Sequence, residues 1–115
     1  MEERTLAYAV RAVRLFRVLQ ERDDRAGWLI GKQFLRSATS IGANVAEARS
    51  GESRKDFVHK LQIALIEACE SLYWLRLLAE AEVLPAARLA DLMDETDQLI
   101  RILVSIVRSS LRTEA

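Results

Sequence analysis

The sequence predicts an all-α protein: one antiparallel, up-down-up-down four-helix bundle spanning residues 1–115 as a single domain. Three observations carry this. Apolar residues recur at three- and four-residue intervals along most of the chain, and no segment alternates as a half-buried strand would. A single Pro and four Gly interrupt 115 residues, so long helices are permitted. The breaks between periodic segments are short, and short connections force consecutive helices to lie side by side in opposite directions. At 13.0 kDa with 50% hydrophobic residues, the chain can build one core without metal or disulfide staples and is too apolar to be disordered.

The first helix is expected over residues 3–21. Leu6, Val10 and Val13 form one apolar row, and Tyr8, Ala12, Leu15 and Leu19 form its neighbour, with Arg4, Arg11, Arg14 and Arg17 outside. The polar stretch 22–27 ends in Gly27 and reads as a turn. The second helix is expected over 28–49, where Phe34, Ala38, Ile41, Val45 and Ala48 keep the four-three spacing of a bundle seam. Ser50 and Gly51 break it. Ser53 is a helix N-cap with Asp56 three residues later as its capping-box partner.

The third helix follows, to about residue 81, with Phe57, Leu61, Ala64, Ala68, Leu72, Leu75 and Ala79 as its seam. Pro85 suits the first turn of the fourth helix, which runs to about residue 110. Its inner rows are Leu89, Met93, Thr96, Ile100, Leu103 and Val107, with Leu92, Leu99 and Ile106 beside them. Asp91, Asp94, Glu95 and Asp97 precede Arg101, Arg108 and Arg112, the order the helix dipole favours.

The third helix carries more apolar surface than one bundle face requires. Ile63, Ile66, Tyr73 and Leu77 form a second stripe interrupted by Glu70. Another copy of the chain is the natural cover, so a homo-oligomer is expected with these four residues at its interface.

Charge narrows the function classes. The 17 basic and 17 acidic residues cancel, which argues against a generic polyanion binder. The halves differ, however. Residues 1–60 hold 12 basic and 8 acidic residues, a net of +4, and residues 61–115 hold 5 and 9, a net of −4. The lone Cys69 has no internal disulfide partner, which points to a reducing cytoplasm. The N-terminus alternates charged and apolar residues unlike a signal peptide. No apolar run approaches the roughly 20 residues that span a bilayer, so no membrane association is expected.

Candidate chemistry is sparse. Asp56 and His59 have the spacing of a carboxylate–histidine pair in di-iron bundles, but such sites need two pairs plus further Glu residues, and His59 is the one histidine. A structural or solvated role is expected for it. Cys69, beside Ala68 and Leu72, is expected to be a buried, inert thiol. Glu67 and Glu70, with Asp91, Asp94 and Asp97 on the next helix, sketch the Mg²⁺ cluster of all-α nucleoside-triphosphate pyrophosphohydrolases. Helix-start chemistry and solvation explain the same acids, and no base in this hairpin is placed to clamp a triphosphate. No catalytic residue, metal, cofactor or small-molecule substrate is therefore expected.

Arg11, Arg14, Arg17, Arg22, Arg25, Lys32 and Arg36 make one basic concentration, and Arg54, Lys55 and Lys60 another. These are the nucleic-acid-contact candidates, read against ordinary solubilising charge. Few aromatic residues accompany them, so base stacking is not expected.

Beside the seam of the second helix runs a polar row with the same spacing: Gln33, Ser37, Ser40, Asn44 and Glu47. Small polar residues solvate a face poorly and suit close helix approach with hydrogen bonds across it. A packing or inter-subunit role is expected. The stretch from Gln33 to Glu47, with Arg36, Ile41, Val45 and Ala46, resembles the signature Q-x-x-R-(S/A)-A-x-S-I-x-x-N-I-A-E-G of four-helix-bundle proteins encoded in bacterial 23S rRNA intervening sequences. The run Ser53, Arg54, Lys55, Asp56 and Phe57, followed by Leu61, Ile63, Ala64, Glu70 and Leu72, fits that family's third helix.

This resemblance implies a cytoplasmic homo-oligomer, commonly a pentamer. It also implies kinship with the accessory variability protein of diversity-generating retroelements, which binds a reverse transcriptase and nucleic acid through basic surfaces. Carried over, Gln33, Arg36, Ser37, Ser40, Asn44, Glu47 and Asp56 are signature and assembly positions. The chain departs from the pattern at Ala48, where the family has Gly, in a shorter first loop, and in its zero net charge. The resulting expectation is a non-enzymatic oligomeric bundle that contacts RNA, DNA or a nucleoprotein partner through Arg-rich surfaces. A pure assembly or adaptor protein is the alternative, and a Mg²⁺-dependent nucleotide pyrophosphohydrolase the third reading.

Overall fold

A computed structural model describes residues 1–51 and 53–114. Its regular elements are helices α1 (Glu2–Gln20), α2 (Arg25–Arg49), α3 (Arg54–Glu80) and α4 (Ala86–Glu114). They form an elongated bundle measuring 51 × 20 × 20 Å. The closest pairing is α2 with α3; α1 packs on α2, α3 on α4, and α1 meets α4 most loosely. That leaves α1 and α3 on one diagonal, and α2 and α4 on the other.

Local chemistry sets the helix starts. Asp24 is extended and accepts a hydrogen bond from the Gly27 amide at 3.0 Å, so α2 begins inside the stretch expected to be a turn. Ser53 is likewise extended and accepts from the Asp56 amide at 3.1 Å, opening α3 as expected. The α3–α4 connection closes by a Schellman arrangement: Val83 N–H donates to the Leu78 carbonyl and Glu82 N–H to that of Ala79. It requires a left-handed residue, and Glu82 supplies it at φ 58°. Buried Val83 then packs so closely on α2 that a Cβ at Gly27 would lie 2.6 Å from its Cγ1. A glycine is therefore needed there by proximity.

The core is continuous along the bundle. Leu19, Phe34, Ile41, Leu75, Leu78, Leu89, Leu99 and Leu103 are almost wholly buried, and the Tyr8 and Phe34 rings form a T-shaped pair with centroids 6.4 Å apart. Two expected rows turn out differently. In α1, Leu6 and Val10 are 64% and 41% exposed, while Thr5, Tyr8, Ala12 and Leu19 face inward. In α3, Phe57, Leu72 and Ala79 are only partly buried, and Val58, Ser71 and Leu78 take their places at the centre. Cys69 is exposed, not buried as its apolar neighbours suggested. It follows Ala68 by about 100° around the helix, enough to turn it out of the core.

Hydroxyl groups cross the middle of this core. Ser37 Oγ of α2 and Ser71 Oγ of α3 are 2.8 Å apart. Tyr8 Oη of α1 lies 2.6 Å from Thr96 Oγ1 of α4 and within hydrogen-bonding reach of Ser71. Spare protons go to carbonyls: Thr96 donates to Leu92 at 2.7 Å and Ser71 to Glu67 at 2.8 Å. Each buried hydroxyl is satisfied, as burial demands, and the four helices are tied at one level.

Two tests follow. Replacing Glu82→Gly relieves a left-handed conformation that costs a residue with a Cβ about 1–2 kcal/mol, partly offset by the greater freedom of Gly in the unfolded chain. Stability in urea unfolding is expected to rise by about 0.5–1 kcal/mol. Burial pushes the Tyr8 hydroxyl up to about 12, opposed by its hydrogen bonds to Thr96 and Ser71. Because the folded value lies above the unfolded one of 10.0, stability is complete below pH 10 and falls between about pH 10 and 12. The loss is about 2–3 kcal/mol, at 1.36 kcal/mol per pH unit. In Tyr8→Phe that alkaline fall is expected to disappear from stability measured against pH.

Candidate functional site

The polar row of α2 borders α3 and splits into two kinds of contact. Ser37 is buried and meets Ser71. Two charged positions cross the groove: Arg36 reaches Glu70 at 3.1 Å, and Glu47 accepts from Lys60 at 2.9 Å. The others turn back on their own helix. Ser40 Oγ donates to the Arg36 carbonyl and Asn44 Nδ2 to the Ser40 carbonyl, both at 2.8 Å. Gln33 is exposed, and so is Asp56 at the opening of α3.

Glu70 also accepts from Trp74 Nε1 at 3.3 Å. Its neighbour Glu67 has one oxygen out of solvent without a hydrogen-bond partner. Burial, reinforced by the Glu70 charge, pushes the Glu67 carboxyl up, and Arg36 opposes the shift. Arg36, Ser37 and Glu47 thus form an intramolecular α2–α3 clasp.

The carboxylates of the hydrolase reading are not drawn together. Glu70 is held toward α2 by Arg36, and Asp97 pairs with Arg101 on its own helix at 2.9 Å. Among the described residues, no group of three or more His, Cys, Asp or Glu side chains is placed to hold a metal ion. His59 is exposed near the start of α3.

The basic candidates fall into separate groups. Arg11 and Arg14 line a groove of 280 Å³ with Arg88 of α4. Arg25 and Lys32 flank the Trp28 ring at 5.9 and 5.4 Å, where the ring face attracts cations. Arg36 and Lys60 are committed to ion pairs. Arg17 and Arg22 are exposed, and Arg54 and Lys55 stand exposed at the opening of α3.

Two apolar faces are left over. On α3, Ile66 and Tyr73 are 65% and 59% exposed, with Ile63 and Leu77 partly so. On the diagonal helix α1, Leu6 and Ala9 form a groove of 310 Å³ with Thr39, Gly42, Ala43 and Ala46 of α2. The first face is the second apolar stripe expected on the third helix; the other was not expected, because Leu6 and Val10 read as one of two adjacent apolar rows. Also missed was a groove of 520 Å³ along α4, lined by Arg101, Val104, Ser105, Arg108, Leu111 and Arg112. Its signal was present in the three-and-four spacing of those residues, but the helix dipole already accounted for its arginines. Among the described residues, no helix is long and apolar enough to cross a membrane.

Comparison with known proteins agrees with this architecture. A protein of unknown function from the S23 ribosomal protein family of Bacteroides thetaiotaomicron VPI-5482, known from its crystal structure, superposes with a TM-score of 0.85. It is 38% identical, over 92% of this chain and 96% of that one. A search of curated proteins finds no match. Residues 5–105 match the family described as 23S rRNA-intervening sequence protein, covering the α2 signature row, the α2–α3 clasp and most of α4, and the chain belongs to that family.

Proposed function

We propose that this protein is a non-enzymatic structural component: an antiparallel up-down-up-down bundle that assembles into a closed homo-oligomer, a pentamer, and contacts RNA or a ribonucleoprotein. The opposed residue numbering of the cross-links supports the antiparallel topology. Arg36 pairs with Glu70 and the later Glu47 with the earlier Lys60, while Arg4 of α1 pairs with Glu95 of α4 at 2.8 Å.

The observation that carries the assembly is the pair of unlike apolar faces on diagonal helices. One is a groove at α1–α2 and the other a projecting stripe on α3 with Ile66 and Tyr73. Exposed apolar surface of this kind marks an interaction site. A projecting face and a groove on opposite corners of one subunit make a head-to-tail contact between copies, and such contacts close into rings when the rotation allows. The rRNA in the family name supports an RNA-linked role, as do exposed basic side chains such as Arg54, Lys55, Arg108 and Arg112. The zero net charge favours a second reading, a pure assembly or adaptor protein without nucleic acid.

Light scattering on the purified protein, with absorbance at 260 and 280 nm, tests both parts. The expected mass is 65 kDa, five times 13.0 kDa, with excess 260 nm absorbance. The same mass with a clean protein spectrum would select the adaptor reading. In Tyr73→Glu the mass is expected to fall to 13.0 kDa with helical circular dichroism unchanged. A Tyr73→Glu oligomer of undiminished mass would remove α3 from the interface.

A further inference from the structure

We propose that the end of the bundle shared by α3 and α4 is an anion-binding face for the phosphodiester backbone of a nucleic acid, with Arg54, Lys55, Arg108 and Arg112 as its phosphate contacts. This rests on the RNA-contact reading above and locates the contact away from the α1 arginines.

Two grooves meet there. Along α4, Arg101, Ser105, Arg108 and Arg112 line a groove of 520 Å³. Beside it, Lys55, His59 and Gln62 of α3 line another of 430 Å³. Leu111 belongs to both, so they form one strip running from α3 onto α4. The strip is open because α4 outruns α1. Arg4 donates to Glu95 and Gln98, so α1 begins opposite the middle of α4, and roughly the last three to four turns of α4 extend beyond it.

Four cations at this end of the bundle are uncommitted. Nearby bases have their acids: Arg101 pairs with Asp97, Lys60 with Glu47 and Arg49 with Glu2. Arg54, Lys55, Arg108 and Arg112 form no ion pair with a described residue, and among the described residues Asp56 is the one acid lining either groove. Helix energetics explain these positions only in part, since the α4 dipole favours Arg108 and Arg112 near its C-terminus. Cations at the first turn of α3 oppose its dipole, and like charges at Arg108 and Arg112, four apart, repel. An external anion would relieve both, and the free amides at the α3 N-terminus add to the attraction.

The other end of the bundle is unlike this one. There the helix termini and turns carry Glu21, Asp23, Asp24, Glu80 and Glu82 against Arg22, Arg25 and Arg88. A neutral chain is therefore polarised along its axis, and a ring built through the sides of the bundles places every basic end on one rim. Arginine forks suit phosphate oxygens. No Phe, Tyr or Trp lines either groove, so the contact reads backbone and not base.

The test is fluorescence anisotropy of a labelled RNA duplex and a DNA duplex of equal length, titrated with the full-length protein across about 50–200 mM salt, the range over which phosphate contacts lose affinity. Arg108→Glu with Arg112→Glu is expected to weaken binding at least tenfold and to flatten the salt slope by roughly one per lost phosphate contact. Arg11→Glu with Arg14→Glu is expected to change affinity less than about threefold, a difference below 1 kcal/mol. Should the α4 pair alter the fold by circular dichroism, Arg54→Glu with Lys55→Glu reads the same face from α3. Loss of binding in the α1 pair alone would overturn this location and leave the RNA-contact reading intact. A wild-type protein that binds neither duplex would overturn both. Equal loss on RNA and DNA marks a shared backbone contact, and loss on RNA alone assigns the face to RNA.

Discussion

The interaction on which this bundle depends is the set of hydroxyls buried at its centre. Ser37, Ser71, Tyr8 and Thr96 come one from each helix, and each is satisfied where water cannot reach. Leucine and alanine rows by themselves tolerate sliding, because one turn of shift replaces one apolar contact with another. Polar groups do not tolerate it, since a shift of one turn leaves a buried donor or acceptor unpaired at about 1–3 kcal/mol each. The hydroxyls therefore fix the level of all four helices, and the rows above and below follow from that registration.

Registration also explains the surface. With Ser37 set opposite Ser71, Arg36 lies level with Glu70, and Glu47 reaches Lys60. The charged clasp on the α2–α3 groove is a consequence of the buried pair. It also removes Arg36 and Lys60 from the supply of free cations. Exposed ion pairs of this kind contribute about 0–1 kcal/mol, so their effect is to place charge and not to hold the fold.

How much was legible in the sequence varied with the kind of signal. Helix extents and the N-cap at Ser53 were read from spacing and cap chemistry, and the family from the run between Gln33 and Glu47. The N-cap at Asp24 was missed because its stretch also contained Gly27, which reads as a break. The structure shows Gly27 inside α2, where Val83 comes too near for a side chain. The candidate contact surface was only partly legible. Arg54 and Lys55 were named, but Arg108 and Arg112 seemed accounted for by the helix dipole, and nothing in one dimension joins residue 55 to residue 111.

Periodicity by itself determined that this chain is helical, roughly where its four helices lie and that α3 has more apolar surface than one bundle consumes. It did not determine which of two adjacent rows turns inward. Leu6 and Val10 lie a fraction of a turn from Thr5, Tyr8 and Ala12, and both arcs read as apolar. The tertiary structure chose the second arc because the Tyr8 hydroxyl is satisfied there on Thr96, and Thr5 can follow it inward because its hydroxyl bonds the carbonyls of Met1 and Glu2 on its own helix. The same choice turned Leu6 outward onto Ala43 and Ala46 and left a face for a neighbour. Burial is a property of the partner helix as much as of the residue, and the partner enters only when the chain has folded.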